Sequence, residues 1–236
     1  MSTFVLVHGA WHGGWCWNRV RRMLQAQGHD VFTPTLTGLA DKSHLLTRET
    51  DLDTHIMDIV NLLVWEDLSD VILCGHSYGG LVVADVANRV PDRVSALVYL
   101  DAFVPKDGET LHDALPIEVR TQHIEGAKQF GDGWRVPPVP AEAFNVNEAD
   151  RAWVDRQCTP QPLATLTQPV RLTDPAGSID NISYILATGW APSPFGQILE
   201  SAKQASWKTT EIDCGHDVML DRPEELVQLL QSLPAL

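Results

Sequence analysis

The sequence predicts an α/β protein with a mostly parallel central sheet, helices on both faces of that sheet, and one long insertion. Three observations predict this class. Short apolar runs alternate with longer segments that repeat an apolar residue every three or four positions. The later runs are apolar at almost every position, which is typical of strands buried on both faces. The chain has 236 residues, of which 44% are hydrophobic, enough for one sizeable core, and no linker-like stretch divides it.

The first two strands come early. Phe4–Val7 is a short apolar run, and a helix is predicted from about Trp15 to Gln27, closed by Gly28. His29–Phe32 gives the second strand, which Pro34 stops. Asp51 or Asp53 is then predicted to cap a further helix. The buried faces of these two helices are predicted to be Trp17, Val20, Met23 and Leu24 in the first, and Ile56, Ile59, Val60 and Leu63 in the second.

The middle of the chain continues the alternation and then loses it. Val71–Cys74 and Val94–Leu100 are predicted strands, separated by a helix over Leu81–Val90. From 105 to 180 the alternation breaks down and nine of the fifteen prolines occur, so this stretch is predicted to be an inserted lid on a core of residues 1–104 and 181–236. The core resumes with predicted strands at Ile182–Ala187 and Lys208–Ile212 and predicted helices near Phe195–Gln204 and Pro223–Leu233.

The segment Gly75-His76-Ser77-Tyr78-Gly79 lies between a predicted strand and a predicted helix. A G-x-S-x-G in this context is typical of a nucleophile elbow, in which the serine has a strained backbone and stands at the carboxyl edge of the sheet. Ser77 is therefore the candidate nucleophile. His76, its neighbour, is expected to point away from it and to have a structural hydrogen-bonding role.

A serine nucleophile needs a histidine base and a group that orients the histidine. Of nine histidines, only His216 lies in a loop directly after a late strand, and it follows Ser77 in the chain. The acid is harder to find, because the loop Thr188–Phe195 contains no carboxylate. Asp101 ends the strand next to the elbow strand and is the preferred acid, with Asp213 as the alternative.

Charge that develops on a substrate carbonyl oxygen requires fixed donors. The backbone N–H of Tyr78, directly after the nucleophile, and that of Ala10, in the glycine-rich loop after the first strand, are predicted to supply them. The residues predicted to line an apolar pocket near this site are Gly9, Trp11, Phe103, Trp134, Phe144, Trp153 and Trp190.

Composition excludes several classes of function. Seventeen Lys and Arg against 31 Asp and Glu give a net charge of −14, so no nucleic acid partner is expected. No segment has the roughly 20 apolar residues that span a bilayer, so membrane insertion is not expected and a cytoplasmic location is the default. Four widely spaced cysteines are predicted to be buried free thiols. His8 and His12 lie in a glycine-broken loop without a nearby carboxylate at zinc-site spacing, so neither a metal nor another cofactor is expected.

The loop at residues 4–15, the elbow at residues 75–80 and Gly215-His216 together resemble the α/β-hydrolase branch of plant methylesterases, hydroxynitrile lyases and bacterial pyrethroid-hydrolase-like or EstC-like carboxylesterases. This resemblance covers nearly the whole chain. It implies the α/β-hydrolase fold and a cofactor-free Ser-His-Asp hydrolase that acts on small esters beneath a lid. It assigns roles to Ser77, His216, Ala10 and Tyr78.

The chain departs from this family at several positions. The lyases have a threonine where this chain has Gly9, and a lysine where it has Asp217, whose negative charge would oppose binding of leaving cyanide. Cyanohydrin cleavage is therefore disfavoured. The usual acid position is empty, but Val98–Ala102 resembles the segment that carries the acid in one haloalkane dehalogenase subgroup. That likeness supports Asp101, while Ser77 argues against dehalogenation itself.

These observations predict a serine carboxylesterase for small, hydrophobic or aromatic carboxylic esters. Other readings remain open: a receptor-like homologue that binds a ligand with little or no hydrolysis, a hydroxynitrile lyase-like relative, or a carbon-carbon bond hydrolase. A small-molecule ester is the expected partner. An exposed apolar lid surface would also suit a homodimer, which the sequence does not decide.

Overall fold

The computed structural model describes residues 1–173 and 179–233, and its eight strands alternate with helices along the chain. The predicted insertion includes residues 174–178, which lie outside the described part. The strands are β1 Thr3–Val7, β2 Asp30–Phe32, β3 Val71–His76, β4 Val94–Leu100, β5 Arg135–Val136, β6 Gln161–Pro162, β7 Ile182–Ala187 and β8 Lys208–Ile212. The α-helices are α1 Asn18–Ala26, α2 Leu52–Trp65, α3 Gly79–Arg89, α4 Ile117–Phe130, α5 Glu148–Gln157, α6 Leu163–Thr167, α7 Gly196–Gln204, α8 Val218–Asp221 and α9 Pro223–Gln231.

Six strands form one parallel sheet in the order β2-β1-β3-β4-β7-β8. β3 and β4 lie at its centre and are buried along their full length, as their almost wholly apolar sequences predict. The parallel sheet confirms the predicted fold class. The short strands β5 and β6 pair antiparallel within the insertion.

Helices cover both faces of the sheet. On one face, α2, α3 and α7 pack against it, and on the other α1 and α9 do so. The predicted buried residues of α2 are buried, and Asp51 caps this helix by accepting a hydrogen bond from the Thr54 N–H at 2.9 Å. The first predicted helix begins differently, because Gly14–Trp17 is a 3₁₀ turn and α1 starts at Asn18.

Residues 105–173 contain α4, α5 and α6 and lie between β4 and β7. Arg19 on α1 holds α5 by donating to both carboxylate oxygens of Asp150, at 2.6 and 2.7 Å, and to the Leu220 carbonyl at 2.7 Å. The same segment reaches the loop after β8, where the Phe144 carbonyl accepts from the His216 N–H at 2.9 Å. These contacts are among several that tie this segment to the core, another being the hydrogen bond from the Thr159 N–H to the Trp11 carbonyl at 2.9 Å.

Candidate active site

Ser77 lies in the sharp turn between β3 and α3, with a backbone φ of +53°. A non-glycine residue adopts this left-handed conformation only where its surroundings hold it. The Ser77 N–H donates to the Leu100 carbonyl at 3.3 Å, and the Ser77 carbonyl accepts from the Phe103 N–H at 3.2 Å. A Cβ at Gly79 would lie 2.8 Å from the His8 carbonyl oxygen, so the turn packs too tightly against β1 for a side chain there. The geometry is that of a nucleophile elbow.

His216 and Asp101 meet at the ends of β8 and β4. Nδ1 of His216 lies 2.6 Å from Oδ2 of Asp101, and both residues are buried. A carboxylate only accepts hydrogen bonds, so Nδ1 carries a proton, and in the neutral form of the ring Nε2 would be the basic nitrogen. Asp213, the alternative acid, is exposed and contributes its backbone carbonyl to Arg222. Of the two candidates, the structure brings Asp101 to the imidazole.

The Asp101 carboxylate is fully buried and has two further donors. The Ala187 N–H donates to Oδ1 at 3.0 Å, and the Trp190 indole N–H donates to Oδ2 at 2.9 Å. The Asp101 N–H also donates to the Ile185 carbonyl at 2.6 Å. These contacts with β7 and its following loop fix the carboxylate in its orientation.

Ala10 and Tyr78 lie where the sequence predicts them, after β1 and after Ser77. Both are buried, and within residues 1–173 and 179–233 neither backbone N–H donates a hydrogen bond to another residue. Unpartnered buried N–H groups are rare in proteins, and an oxyanion hole is one place where they are useful. Gly9 precedes Ala10, and a Cβ at Gly9 would lie 2.9 Å from the Ser77 Cβ, so the loop approaches the serine closely.

Aromatic rings surround the His216 imidazole. The ring centroid of Trp190 lies 4.7 Å from that of His216, Phe144 lies at 5.2 Å, and Phe195 stacks on it at 5.6 Å with an interplanar angle of 17°. Phe195 is not among the residues predicted to line the pocket. It ends the loop after β7, and the same loop contains Trp190, so its position in the sequence could have indicated a place near the site.

The other predicted pocket residues divide into two groups. Phe103 packs edge-on against Phe195 at 4.8 Å, and Trp11 lies 6.3 Å from Phe144, so both connect to the rings around His216. Trp134 instead lies between the guanidinium groups of Arg48 and Arg135. Trp153 packs edge-on against Trp15 at 4.9 Å. The ring contacts of Trp134 and Trp153 are thus made away from the imidazole.

The residues next to Ser77 and His216 in the chain, His76 and Asp217, are buried and polar. His76 is buried, and its Nε2 donates to the His216 carbonyl at 3.0 Å, in line with the expected structural role. Asp217 is fully buried and bonds to Nε2 of His12 at 3.0 Å. Its carboxylate thus has a partner that the sequence did not predict, and its expected effect on a leaving anion stays a prediction.

Cys16, Cys74 and Cys214 are buried free thiols, whereas Cys158 is only partly buried, which corrects that one expectation. No helix in the described ranges is long and apolar enough to cross a membrane. Nor do the described side chains include a group of three or more His, Cys, Asp or Glu arranged to hold a metal ion.

Comparison with known proteins identifies a hydrolase family and two esterases that this chain is similar to. Residues 4–229 match the model of the alpha/beta hydrolase family. A carbendazim hydrolyzing esterase from Nocardioides sp. (strain SG-4G) is 45% identical over 99% of this chain and 100% of its own length. Methylesterase 2 of Arabidopsis thaliana is 40% identical over 43% of this chain and 40% of its own.

Among solved structures, an extracellular alpha/beta-hydrolase from a Paenibacillus species superimposes with a TM-score of 0.86, covering 99% of both chains at 25% identity. That protein is described as sharing structural and functional homology with tobacco salicylic acid binding protein 2. The parallel sheet, the elbow after β3 and the family match lead to one assignment: this chain belongs to the α/β hydrolase family.

Proposed function

We propose that this α/β hydrolase is a serine carboxylesterase in which Ser77 is the nucleophile, His216 the base and Asp101 the orienting acid. The observation that carries the proposal is the 2.6 Å hydrogen bond from Nδ1 of His216 to the buried Asp101 carboxylate, beside a serine in a strained elbow. It supports a ring whose Nε2 can accept a proton. The esterase relative that covers the whole chain supports the same class of reaction.

In the proposed first step, Nε2 of His216 takes the proton of the Ser77 hydroxyl as the serine oxygen attacks the ester carbonyl. The Ala10 and Tyr78 N–H groups stabilise the negative oxygen of the tetrahedral intermediate. His216 then gives its proton to the departing alcohol, which leaves an acyl group on Ser77. In the second half, His216 deprotonates a water molecule, which releases the carboxylic acid and restores the serine.

For the substrate, we propose small esters with a hydrophobic or aromatic group. The rings of Phe144, Trp190 and Phe195 around the imidazole, with Trp11 and Phe103 behind them, favour a flat apolar group. Carbendazim, which the full-length relative is named for hydrolysing, is one candidate to assay. The described part of the predicted lid, residues 105–173, would lie over this group. The cytoplasmic location and the homodimer stay predictions.

The test is hydrolysis of a short-chain p-nitrophenyl ester by the wild type and by Ser77→Ala, with the adduct of a fluorophosphonate probe mapped by mass spectrometry. Turnover by the wild type, an adduct on Ser77 and a loss of at least about 1,000-fold in Ser77→Ala are the expected results. A wild type that binds such esters but neither turns them over nor labels would contradict the proposal. That result would favour the receptor-like alternative.

A further inference from the structure

Two buried residues beside the site have no part in the mechanism above. His12 lies in the loop after β1, and Asp217 directly follows His216. Nε2 of His12 lies 3.0 Å from Oδ2 of Asp217, and Nδ1 of His12 lies 2.8 Å from the Ala10 carbonyl oxygen. His12 is 3% exposed and Asp217 is fully buried. The contact therefore joins two loops that are 205 positions apart in the chain.

The partners of His12 fix its protonation state. The Ala10 carbonyl oxygen can only accept, so Nδ1 carries a proton; where Asp217 is ionised, its oxygen also only accepts, so Nε2 then carries a proton as well. An imidazole with two N–H groups is a cation. Burial is the largest influence on the pKa of His12 and lowers it, but Asp217 and the Ala10 carbonyl together outweigh burial, so the pKa is raised. Burial would likewise raise the pKa of Asp217, but His12 lowers it below its usual range.

The other side chains around this contact are those of Trp15, His76, His216 and Cys16. Trp15 stacks on the His12 ring at 5.1 Å. His76 lies edge-on to it at 6.3 Å, and burial keeps the pKa of His76 well below its usual value. Burial also raises the pKa of the nearby Cys16 thiol well above its usual value. Nε2 of His76 lies 3.9 Å from Oδ1 of Asp217, too far for a hydrogen bond, so among the described residues His12 is the histidine that bonds directly to this carboxylate.

We propose that His12 and Asp217 are a pair of positioning residues, an imidazolium and a carboxylate, which hold the oxyanion loop in register with the His216 loop. His12 donates a hydrogen bond to the Ala10 carbonyl oxygen. The N–H of the same residue, in the preceding peptide unit, is the proposed oxyanion donor. Asp217 is covalently next to His216. The inference rests on the proposed esterase function, and it adds two residues that act on the reaction through Ala10 and His216 without touching the substrate.

The proposal predicts a specific kinetic effect for His12→Gln. A loosened oxyanion donor weakens binding of the transition state more than binding of the substrate, so kcat falls about tenfold while KM stays within twofold. The variant also leaves the Asp217 charge unbalanced beside His216, which stabilises the imidazolium form of His216. The acid limb of the kcat/KM profile should therefore move to higher pH by about half a unit.

Asp217→Asn removes the charges of the pair but keeps the hydrogen bonds of His12, so it separates the two effects. A neutral His12 still donates from Nδ1 to the Ala10 carbonyl, and its Nε2 accepts from the new amide, so both contacts survive and kcat should stay within threefold of the wild type. In the double variant His12→Gln/Asp217→Asn no unbalanced charge remains. The acid limb should return to its wild-type position, while kcat stays about tenfold low because the Ala10 carbonyl has lost its partner.

The experiment measures kcat, KM and pH profiles of these three variants on the p-nitrophenyl ester, with thermal unfolding as a check of folding. His29→Gln, at the opposite end of the sheet, is the matched histidine control and should behave as the wild type. Wild-type kcat and an unmoved acid limb in a folded His12→Gln would overturn the proposal. If that variant does not fold, the neutral double variant decides, and wild-type kcat in it would overturn the proposal.

Nitrogen-15 NMR of the histidine rings gives a readout that does not depend on turnover. His12 signals, assigned by their loss in His12→Gln, should show both nitrogens protonated at pH 7.5, and a neutral tautomer there would overturn the pair. An inactive wild type with a protonated His12 would refute the esterase function and leave the ion pair standing. An active wild type with a neutral His12 would refute the pair alone.

Discussion

Trp190 donates its indole N–H to Oδ2 of Asp101 at 2.9 Å, so the loop after β7, which lacks a carboxylate, supplies a donor to the carboxylate of the neighbouring strand. The same oxygen accepts from His216. Two donors on one oxygen spread its charge and fix its direction. Trp190 also packs against the imidazole, so it holds both partners of the hydrogen bond.

Trp190→Phe keeps an aromatic ring and removes this N–H. With one donor fewer, Asp101 Oδ2 holds more charge and stabilises protonated His216, so the acid limb of kcat/KM should move to higher pH. Loss of a hydrogen bond to a charged group should also lower the free energy of unfolding by about 2 kcal/mol. pH profiles and denaturant titrations measure both effects. Trp153→Phe, whose ring packs on Trp15, is the control, and an equal shift there would contradict the role of the indole N–H.

Asp101→Asn is expected to lower kcat by about 1,000-fold or more. An amide in place of the carboxylate no longer favours the tautomer with the proton on Nδ1, so Nε2 loses its basicity. Asp213→Asn, on an exposed side chain, should remain within twofold of the wild type. Ester hydrolysis by the two variants side by side makes the comparison. A large loss in Asp213→Asn with a small one in Asp101→Asn would reverse the assignment of the acid.

Gly9→Ala should reduce kcat by about 100-fold. The added Cβ would lie 2.9 Å from the Ser77 Cβ and 3.0 Å from Nδ1 of His76, so either the oxyanion loop or the elbow has to shift. Gly196→Ala is the control, because no atom lies within 4 Å of a Cβ there. Kinetics and fluorophosphonate labelling rates report the loss. If a folded Gly9→Ala kept more than half of the wild-type kcat, the loop would accommodate a Cβ at this position and the prediction would be wrong.

Stability should fall on acidification because of His55. Its Nε2 donates to the Thr37 carbonyl at 2.8 Å, and its Nδ1 accepts from the Tyr78 hydroxyl at 2.9 Å, so the ring is neutral. Burial lowers the pKa of His55 to about 4. Between pH 6.5 and pH 4 the unfolded chain binds a proton that the folded chain does not, so the free energy of unfolding falls by about 3 kcal/mol from this group alone.

Denaturant titrations at pH 7 and pH 4.5 measure this effect. His55→Gln should lose less stability between the two values than the wild type does, whereas His44→Gln, on an exposed side chain, should lose as much as the wild type. An identical pH dependence in His55→Gln and the wild type would show that the buried ring is not the source.

Strand positions were the most predictable part of the fold. The predicted bounds of Val94–Leu100, Ile182–Ala187 and Lys208–Ile212 coincide with β4, β7 and β8. The first two are apolar at every position but one, and in a parallel sheet such a run becomes a strand. The 3₁₀ turn at Gly14–Trp17 and the short helix α8 were not predicted, because three or four residues give no readable period.

The groups of the site could be named from the sequence, but their long-range partners could not. Ser77, His216 and Asp101 follow strands, and the carboxyl ends of parallel strands share one edge, so their approach follows from topology. The pairing of Asp217 with His12 does not, because nothing in either segment specifies a contact across the sheet. From the sequence, Asp217 is a carboxylate next to His216 with no identifiable partner, and the structure shows that His12 is its partner.

The position of Asp101 at the end of β4 has a practical consequence for enzyme engineering. If the acid stood in the loop after β7, a substitution in that loop could displace the carboxylate from the imidazole that it orients. Here residues 191–194 of that loop make no hydrogen bond with the carboxylate, and Trp190 is the loop side chain that donates to it. A combinatorial library over 191–194, with Trp190 and Phe195 held constant, can therefore vary the segment between two of the rings around His216 while the acid and base remain in place.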